Sequence, residues 1–126
     1  NMKFDDPDQE PPKHYWPNNV RVHLPWPNVW ITASSIASEQ KCGVWLVEGG
    51  REKTLSPVLE DMRAELTPQL PDGSYAQDEN KGVVFGFERP WSSFGSEDEK
   101  KAWIAEALNA FVNVFRPVLK ELKDRP

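Results

Sequence analysis

A long amphipathic segment near the C-terminal end constrains the fold of this 126-residue chain more than any other feature. Over residues 96–122 apolar side chains recur at steps of three and four, which predicts one face of an α-helix. Ser96, followed three residues later by Glu99, has the pattern of a capping box and marks the start of this helix. Pro117 cannot donate a hydrogen bond to the carbonyl of Asn113, so we expect a bend or a break there.

Several segments ahead of this helix have the composition of β-strands, with β-branched and aromatic residues between turn residues. They are residues 28–37, 43–48, 74–77 and 83–88. Residues 20–24 alternate between polar and apolar side chains and predict a short edge strand, which the flanking prolines would protect from further pairing.

A second, shorter helix is predicted to begin at Ser56, with Ser56 as the cap and Pro57 in the first helical position. Three apolar residues spaced three and four apart form its buried stripe: Leu59, Met62 and Leu66. The predicted class is therefore α+β, with element order β-β-α-β-β-α. We expect two layers, in which an antiparallel sheet of four or five strands carries two helices on one face.

The first 28 residues differ from the rest of the chain because they hold six of its twelve prolines: Pro7, Pro11, Pro12, Pro17, Pro25 and Pro27. Proline removes backbone donors, so a long helix or a central strand is not expected there. We interpret residues 1–28 as a proline-rich arm that drapes its aromatic rings over a single α+β domain of residues 29–126.

Composition limits the classes of function. The net charge of −5 opposes binding to nucleic acid, which depends on clustered lysine and arginine. No apolar run approaches the roughly 20 residues of a membrane-spanning helix, and the first residues lack the pattern of a signal peptide. The single Cys42 cannot form an internal disulfide, which favours a cytoplasmic location.

Patterns that would carry catalysis are weak in this sequence. Residues 7–8 and 39–41 match the loose Pro-Asp and Glu-x-Lys pattern of metal-dependent nucleases. The same Glu-x-Lys triplet recurs at residues 79–81, 99–101 and 121–123. His14, His23 and Cys42 do not have the spacing of a zinc site. We therefore predict no catalytic residues, no metal site and no cofactor.

The loop at residues 48–53 leads into the amino end of the second helix. Helix amino ends attract anions, and Arg51 and Lys53 add positive charge. Its spacing is not that of a phosphate-binding loop, and Glu48 and Glu52 offset the charge. Arg51 and Lys53 are candidate anion-binding residues, and the alternative, which we favour, is that the loop is simply a tight turn.

Six tryptophans are many for a chain of this length. Trp30, Trp45 and Trp103 lie in predicted strands or helix, where packing within the fold is expected. The other three lie in irregular segments, where exposure would mark an interface: Trp16, Trp26 and Trp91. These three rings are the candidate binding residues.

From residue 29 to residue 122 the chain resembles a domain of unknown function found in bacterial and archaeal proteins. The residues that carry the resemblance are Trp103, Phe111, residues 114–117 and residues 119–122, with residues 82–88 and the helix containing Leu59, Met62 and Glu65 in the same layout. That domain commonly follows a restriction-endonuclease-like region, which has no counterpart here. The resemblance implies a stand-alone copy of the accessory module, with a link to DNA restriction, defence or a mobile element.

The sequence thus predicts a non-catalytic protein-interaction or accessory module rather than an enzyme. The expected partner is another protein or a second copy of this chain. The alternative is a domain that binds a small molecule or an anion through residues 49–53 and aromatic rings on the sheet.

Overall fold

The computed structural model describes residues 4–10, 13–16, 19–50, 53–79 and 82–124, and for residues 13–16, 19, 78–79 and 82 it describes the backbone only. The strands are β1 (Lys13–Trp16), β2 (Asn19–His23), β3 (Val29–Ile36), β4 (Lys41–Glu48), β5 (Tyr75–Glu79) and β6 (Gly82–Pro90). The helices are α1 (Ser56–Asp61), α2 (Arg63–Leu66) and α3 (Glu97–Asp124), with short 3₁₀ turns at Thr67–Gln69 and Trp91–Ser93. All strand pairs are antiparallel, in the order β1-β2-β3-β4-β6-β5.

One row of buried side chains crosses the middle of the sheet. Val22 pairs with Ile31, Ile31 with Leu46, and Leu46 with Phe85, so the four side chains lie on the same side of four neighbouring strands. All four are at most 3% exposed. Because side chains alternate across a strand, this row fixes which residues of β2, β3, β4 and β6 face the core.

Helix α3 completes the core. Phe85 of β6 meets Phe115 with a ring separation of 5.1 Å, and Phe115 lies 5.8 Å from Phe111. Strands and helices contribute to one continuous hydrophobic cluster, so the predicted α+β class is confirmed. None of the helices in the described ranges is long and apolar enough to cross a lipid bilayer.

The start of α3 follows the sequence pattern closely, and the helix continues past its internal proline. The Ser96 hydroxyl accepts the backbone N–H of Glu99, and the Glu99 carboxylate accepts the N–H of Gly95. The helix runs on through Pro117 without a break, so of the two expected outcomes only a bend stays a prediction. Asn113 is exposed, and water can take the place of the N–H that Pro117 lacks.

The sheet has six strands rather than the four or five expected, because the proline-rich segment pairs instead of only draping over the domain. Its prolines flank the strands without interrupting them, so β1 and β2 keep their hydrogen-bond donors. Strand β2 lies between β1 and β3, so the expectation that it forms an edge is also wrong.

The helix predicted from Ser56 is divided into α1, α2 and a 3₁₀ turn, with the interruption at Met62. Leu59 and Leu66 are buried, and Met62 packs partly buried against the same core. The predicted apolar stripe therefore faces the core across a broken helix.

Residues 4–10 lie against α3 through specific polar contacts. The carboxylate of Asp5 accepts hydrogen bonds from the amides of Asn109 and Asn113, at 2.9 and 3.0 Å. The guanidinium of Arg116 donates to the side-chain oxygen of Gln9, which is only 8% exposed. The first described residues are thus fixed across one side of α3.

Candidate binding surface

The side of the sheet opposite the core carries an aromatic and charged set of side chains, which we call the outer face. Its members are Arg21, His23, Trp30, Thr32, Lys41, Trp45, Tyr75 and Glu88. One row is formed where Thr32 pairs with Trp45, Trp45 with Gly86 and Gly86 with Tyr75. The outer face therefore follows directly from the register that buries the alternate residues.

Trp45 lies flat on the sheet. A Cβ atom placed on Gly43 would lie 2.2, 2.3 and 2.9 Å from Cη2, Cζ2 and Cζ3 of Trp45, three atoms of its six-membered ring. These distances put the ring face-on over Gly43. A Cβ atom on Gly86 would lie 2.7 Å from Cδ1 of Trp45 and 2.6 Å from Cζ of Tyr75. Two glycines thus leave the space in which the indole rests, and one of its faces points away from the sheet.

A hydrogen-bond network holds the edge of this indole. Trp45 Nε1 donates to the hydroxyl of Tyr75 at 2.8 Å and to the carboxylate of Glu88 at 3.2 Å. The Tyr75 hydroxyl donates to the same carboxylate oxygen. Lys41 Nζ lies 2.6 Å from the other oxygen of Glu88 and 3.4 Å from Glu39. Each polar group around the ring has a partner, so the ring is fixed in position.

The charges of this network are stable around neutral pH. Burial by itself raises the pKa of Glu88, but the hydrogen bonds from Lys41, Tyr75 and Trp45 outweigh burial and hold that pKa below its usual value. The hydrogen bond to Glu88 raises the pKa of Lys41. Burial, together with the hydrogen bond to Glu88, raises the pKa of Tyr75. The side chains of Lys41 and Glu88 are nevertheless 25% and 28% exposed, so a ligand can reach both.

Trp30 forms a second aromatic position on the outer face. A Cβ atom on Gly49 would lie 2.6 Å from its ring atom Cη2, so this indole also rests against a glycine. The guanidinium carbon of Arg21 lies 4.6 Å from the centre of the Trp30 ring, a cation–π contact. The ring of His23 is 6.4 Å away.

The structure separates the two predicted binding tryptophans whose side chains it describes. The Trp26 indole donates to the Thr54 hydroxyl at 3.2 Å and packs against the core near the start of β3. The Trp91 indole donates to the hydroxyl of Ser35, near the end of β3, at 3.0 Å. Trp26 and Trp91 therefore do not form one patch. The side chain of Trp16 lies outside the described residues.

The predicted anion loop is already occupied by a side chain of this chain. The Glu48 carboxylate accepts the backbone N–H groups of Thr54, Leu55 and Ser56 at 2.8 to 3.0 Å, and also the Ser56 hydroxyl. Lys53 donates to the backbone carbonyl of Glu48. Ser56 thus donates to Glu48 instead of capping the helix itself. Arg51 lies outside the described residues.

Sequence reasoning missed the central residues of the outer face. Trp30 and Trp45 were expected to pack within the fold, but they lie on the side opposite the core, whereas Trp103 packs partly buried against it. The signal was the alternation in β3, where buried Val29, Ile31 and Ala33 leave Trp30 on the other side. Tyr75 and Glu88 have no comparable signal in the sequence, because pairing brings them to Trp45.

The residues of the nuclease-like pattern do not assemble into one site. Glu39 and Lys41 form an ion pair at the turn between β3 and β4, whereas Asp8 lies in the segment that crosses α3. Within the described ranges, no three His, Cys, Asp or Glu side chains are grouped so that they could hold a metal ion. Cys42 is buried, with its sulfur 3.8 Å from the hydroxyl of Ser35.

No protein-family model, curated protein or solved structure matches this chain. The outer face is therefore interpreted from its own chemistry. A flat indole beside an ion pair can bind by stacking, by apolar contact and by hydrogen bonding. These interactions suit recognition of a ligand or partner.

Proposed function

We propose that this chain is a non-catalytic interaction module that binds a protein partner through the outer face. The observation that carries the proposal is the fixed position of Trp45, held flat over Gly43 and bonded at its edge to Tyr75 and Glu88. We also infer a two-layer arrangement, in which the helices cover the side of the sheet that bears Phe85 and leave the outer face available.

The composition of the outer face supports a protein partner. Tryptophan, tyrosine and arginine are enriched at the residues that contribute most to protein–protein affinity. Trp45 and Tyr75 are already held by hydrogen bonds, so little conformational entropy would be lost when a partner contacts them. A fixed aromatic surface of this kind favours binding without rearrangement of the sheet.

The outer face is large enough for a small interface. Six strands about 4.8 Å apart, each with about six paired residues of 3.4 Å, give a flat projected area on the order of 500 Å². The accessible surface of its side chains is larger than this projection, and a standard protein interface buries about 800 Å² of accessible surface on each partner. The net charge of −5 favours a basic partner over a second acidic copy of this chain, because like charges oppose association.

We further propose that the partner belongs to DNA restriction, defence or a mobile element. This part rests on the resemblance of residues 29–122 to the accessory domain that follows restriction-endonuclease-like regions. The genes beside the one for this chain test it: neighbours that encode restriction or transposition proteins support the proposal, and unrelated metabolic genes oppose it.

Site-directed photo-cross-linking tests the interaction surface. A benzoylphenylalanine replaces Gln77, which is exposed on the outer-face side of β5, and in a matched variant it replaces Glu106, which is exposed on α3. We expect one protein from the source organism to be joined reproducibly to position 77 and not to position 106, and to rebind when purified. Cross-linking at position 106 alone would contradict the proposal. The absence of cross-linking at both positions, together with a strictly monomeric chain by light scattering, would contradict it as well.

A further inference from the structure

Among the described side chains, the site around Trp45 carries one more negative charge than its own cation neutralises. Lys41 is within ion-pair distance of both Glu39 and Glu88, so two carboxylates share one ammonium group. Arg21, the arginine of the outer face, is two strands away from Trp45 and lies over Trp30. The local charge at Trp45 therefore favours a further cation.

The ring of Trp45 offers a surface that suits a planar cation. One face of the indole rests on Gly43, and its only N–H is used by Tyr75 and Glu88. The other face presents the negative side of an aromatic quadrupole, which attracts a cation placed above it. The carboxylate of Glu88 lies at the Nε1 edge of the ring and accepts one described donor, Lys41, at Oε1.

We propose that Trp45 and Glu88 form a capture site for an arginine side chain carried by a basic segment of the protein partner. The inference rests on the proposed function and adds the chemistry of the partner. A guanidinium stacked on Trp45 would donate to Glu88 Oε1, while Lys41 keeps its contact with Glu39. Arginine fits better than lysine because its planar group can stack on an indole and donate to a carboxylate at the same time.

The same mode of contact already occurs within this chain. Arg21 lies 4.6 Å from the ring centre of Trp30, and Arg89 lies 4.3 Å from that of Phe94. The carboxylates beside Trp45 and the net charge of −5 oppose a phosphate or a nucleic-acid strand at this site. Charge complementarity therefore selects a basic protein segment among the ligands that can stack on an indole.

The test uses the whole chain labelled with ¹⁵N in its tryptophan indoles and titrated with short peptides. The probe is acetyl-Gly-Arg-Gly amide, with the lysine peptide and the citrulline peptide, which is uncharged and nearly isosteric, as controls. We expect the arginine peptide to shift the Trp45 Nε1 resonance with a dissociation constant on the order of 1 to 10 mM. The citrulline and lysine peptides should bind at least about fivefold more weakly, as should arginine with the Glu88→Gln variant.

Glu106→Gln is the matched control, because it removes one exposed carboxylate on α3 and should leave the titration unchanged. The comparison of the arginine peptide with the citrulline peptide uses the unmodified chain, so the test stays valid even if Glu88→Gln alters the sheet. Equal binding of arginine and citrulline, no shift at Trp45, or displacement of the peptide by a ten-residue oligothymidylate would overturn the inference. If that happens while position 77 still cross-links to a protein, only the arginine site fails; if position 77 also fails, the proposed function fails with it.

Discussion

The six-membered ring of Trp45 lies face-on over Gly43, two residues earlier on the same strand. This contact is possible only because position 43 has no Cβ atom, which would come within 2.2 Å of the ring. Side chains at positions i and i+2 of a strand share a face, so a glycine leaves the space that the next side chain on that face can fill. Gly43 thus determines how Trp45 presents its ring to a partner.

Replacing Gly43 with alanine should displace the indole from the sheet. We expect the free energy of unfolding to fall by about 1–3 kcal/mol, because the new methyl group overlaps the ring. The near-ultraviolet circular dichroism of the tryptophans should change in parallel. Urea unfolding measures the first effect. Ser34→Ala, which changes the residue paired with Gly43 on β3, is the control and should cost less than about 0.5 kcal/mol.

Glu48 should make stability depend on pH. Burial raises its pKa, but hydrogen bonds from Leu55, Ser56 and Thr54 outweigh burial and lower it below the usual value. As the pH falls, the carboxylate of Glu48 is therefore protonated in the unfolded chain before it is protonated in the folded one. Its contribution to the free energy of unfolding is complete above about pH 5 and is lost as the pH falls through the pKa of the folded state. Glu88, whose pKa is also lowered, acts in the same direction.

The Glu48→Gln variant separates the contribution of Glu48 to this pH dependence of stability from that of Glu88. It should lower the free energy of unfolding at pH 7 by about 1 kcal/mol, because a charged cap of α1 is lost. Glu48→Gln should also reduce the further loss of unfolding free energy that occurs between about pH 5 and pH 3. Glu106→Gln serves as the control at each pH. If the free energy of unfolding of Glu48→Gln falls between about pH 5 and pH 3 as much as that of the unmodified chain, the Glu48 cap contributes nothing to the pH dependence of stability.

Arg116 should hold residues 4–10 against α3. Its guanidinium contacts the carboxylate of Asp6 at 3.3 Å and the side-chain oxygen of Gln9 at 2.9 Å. In Arg116→Ala we expect faster hydrogen exchange and proteolysis within residues 4–10, with a loss of about 1–2 kcal/mol of stability because Gln9 loses a partner while buried. Lys120→Ala, exposed on the same helix, should leave both measurements unchanged.

Pro117→Ala should stabilise the chain. A proline inside a helix costs about 3 kcal/mol relative to alanine when the lost hydrogen bond is not replaced. Asn113 and Pro117 are both exposed, and water can replace part of that bond, so we expect a gain of about 1–2 kcal/mol in urea unfolding. A loss of stability would mean that the shape of α3 at the proline matters for packing against the sheet.

Residue patterns were sufficient for the elements that local chemistry specifies. Ser96 and Glu99 gave the start of α3, and the repeat of apolar residues over 96–122 gave the helix in which Phe111 and Phe115 are buried. The α+β class followed because such a helix needs a sheet to cover. These features depend on neighbours three or four residues apart, which a sequence displays directly.

The outer face depends on pairing between distant strands, which the sequence does not display. The register of β3 and β4 decides that Trp30 and Trp45 share one side, and pairing with β5 and β6 then brings Tyr75 and Glu88 to Trp45. The cap of α1 was missed for the same reason. The capping side chain is Glu48, at the end of β4, and it takes the place that Ser56, the local residue, was expected to have as the cap.

The dissociation constant of the complex with the purified cross-linked partner tests the role of the outer face most directly. It is measured by titration calorimetry for the unmodified chain, for Trp45→Ala and for Trp91→Ala, which removes a tryptophan away from the outer face. We predict that Trp45→Ala weakens binding at least about tenfold, as the loss of a central aromatic contact does, and that Trp91→Ala changes it less than about twofold. Unchanged affinity in a folded Trp45→Ala variant, with a large loss in Trp91→Ala, would contradict the assignment of the outer face as the binding surface.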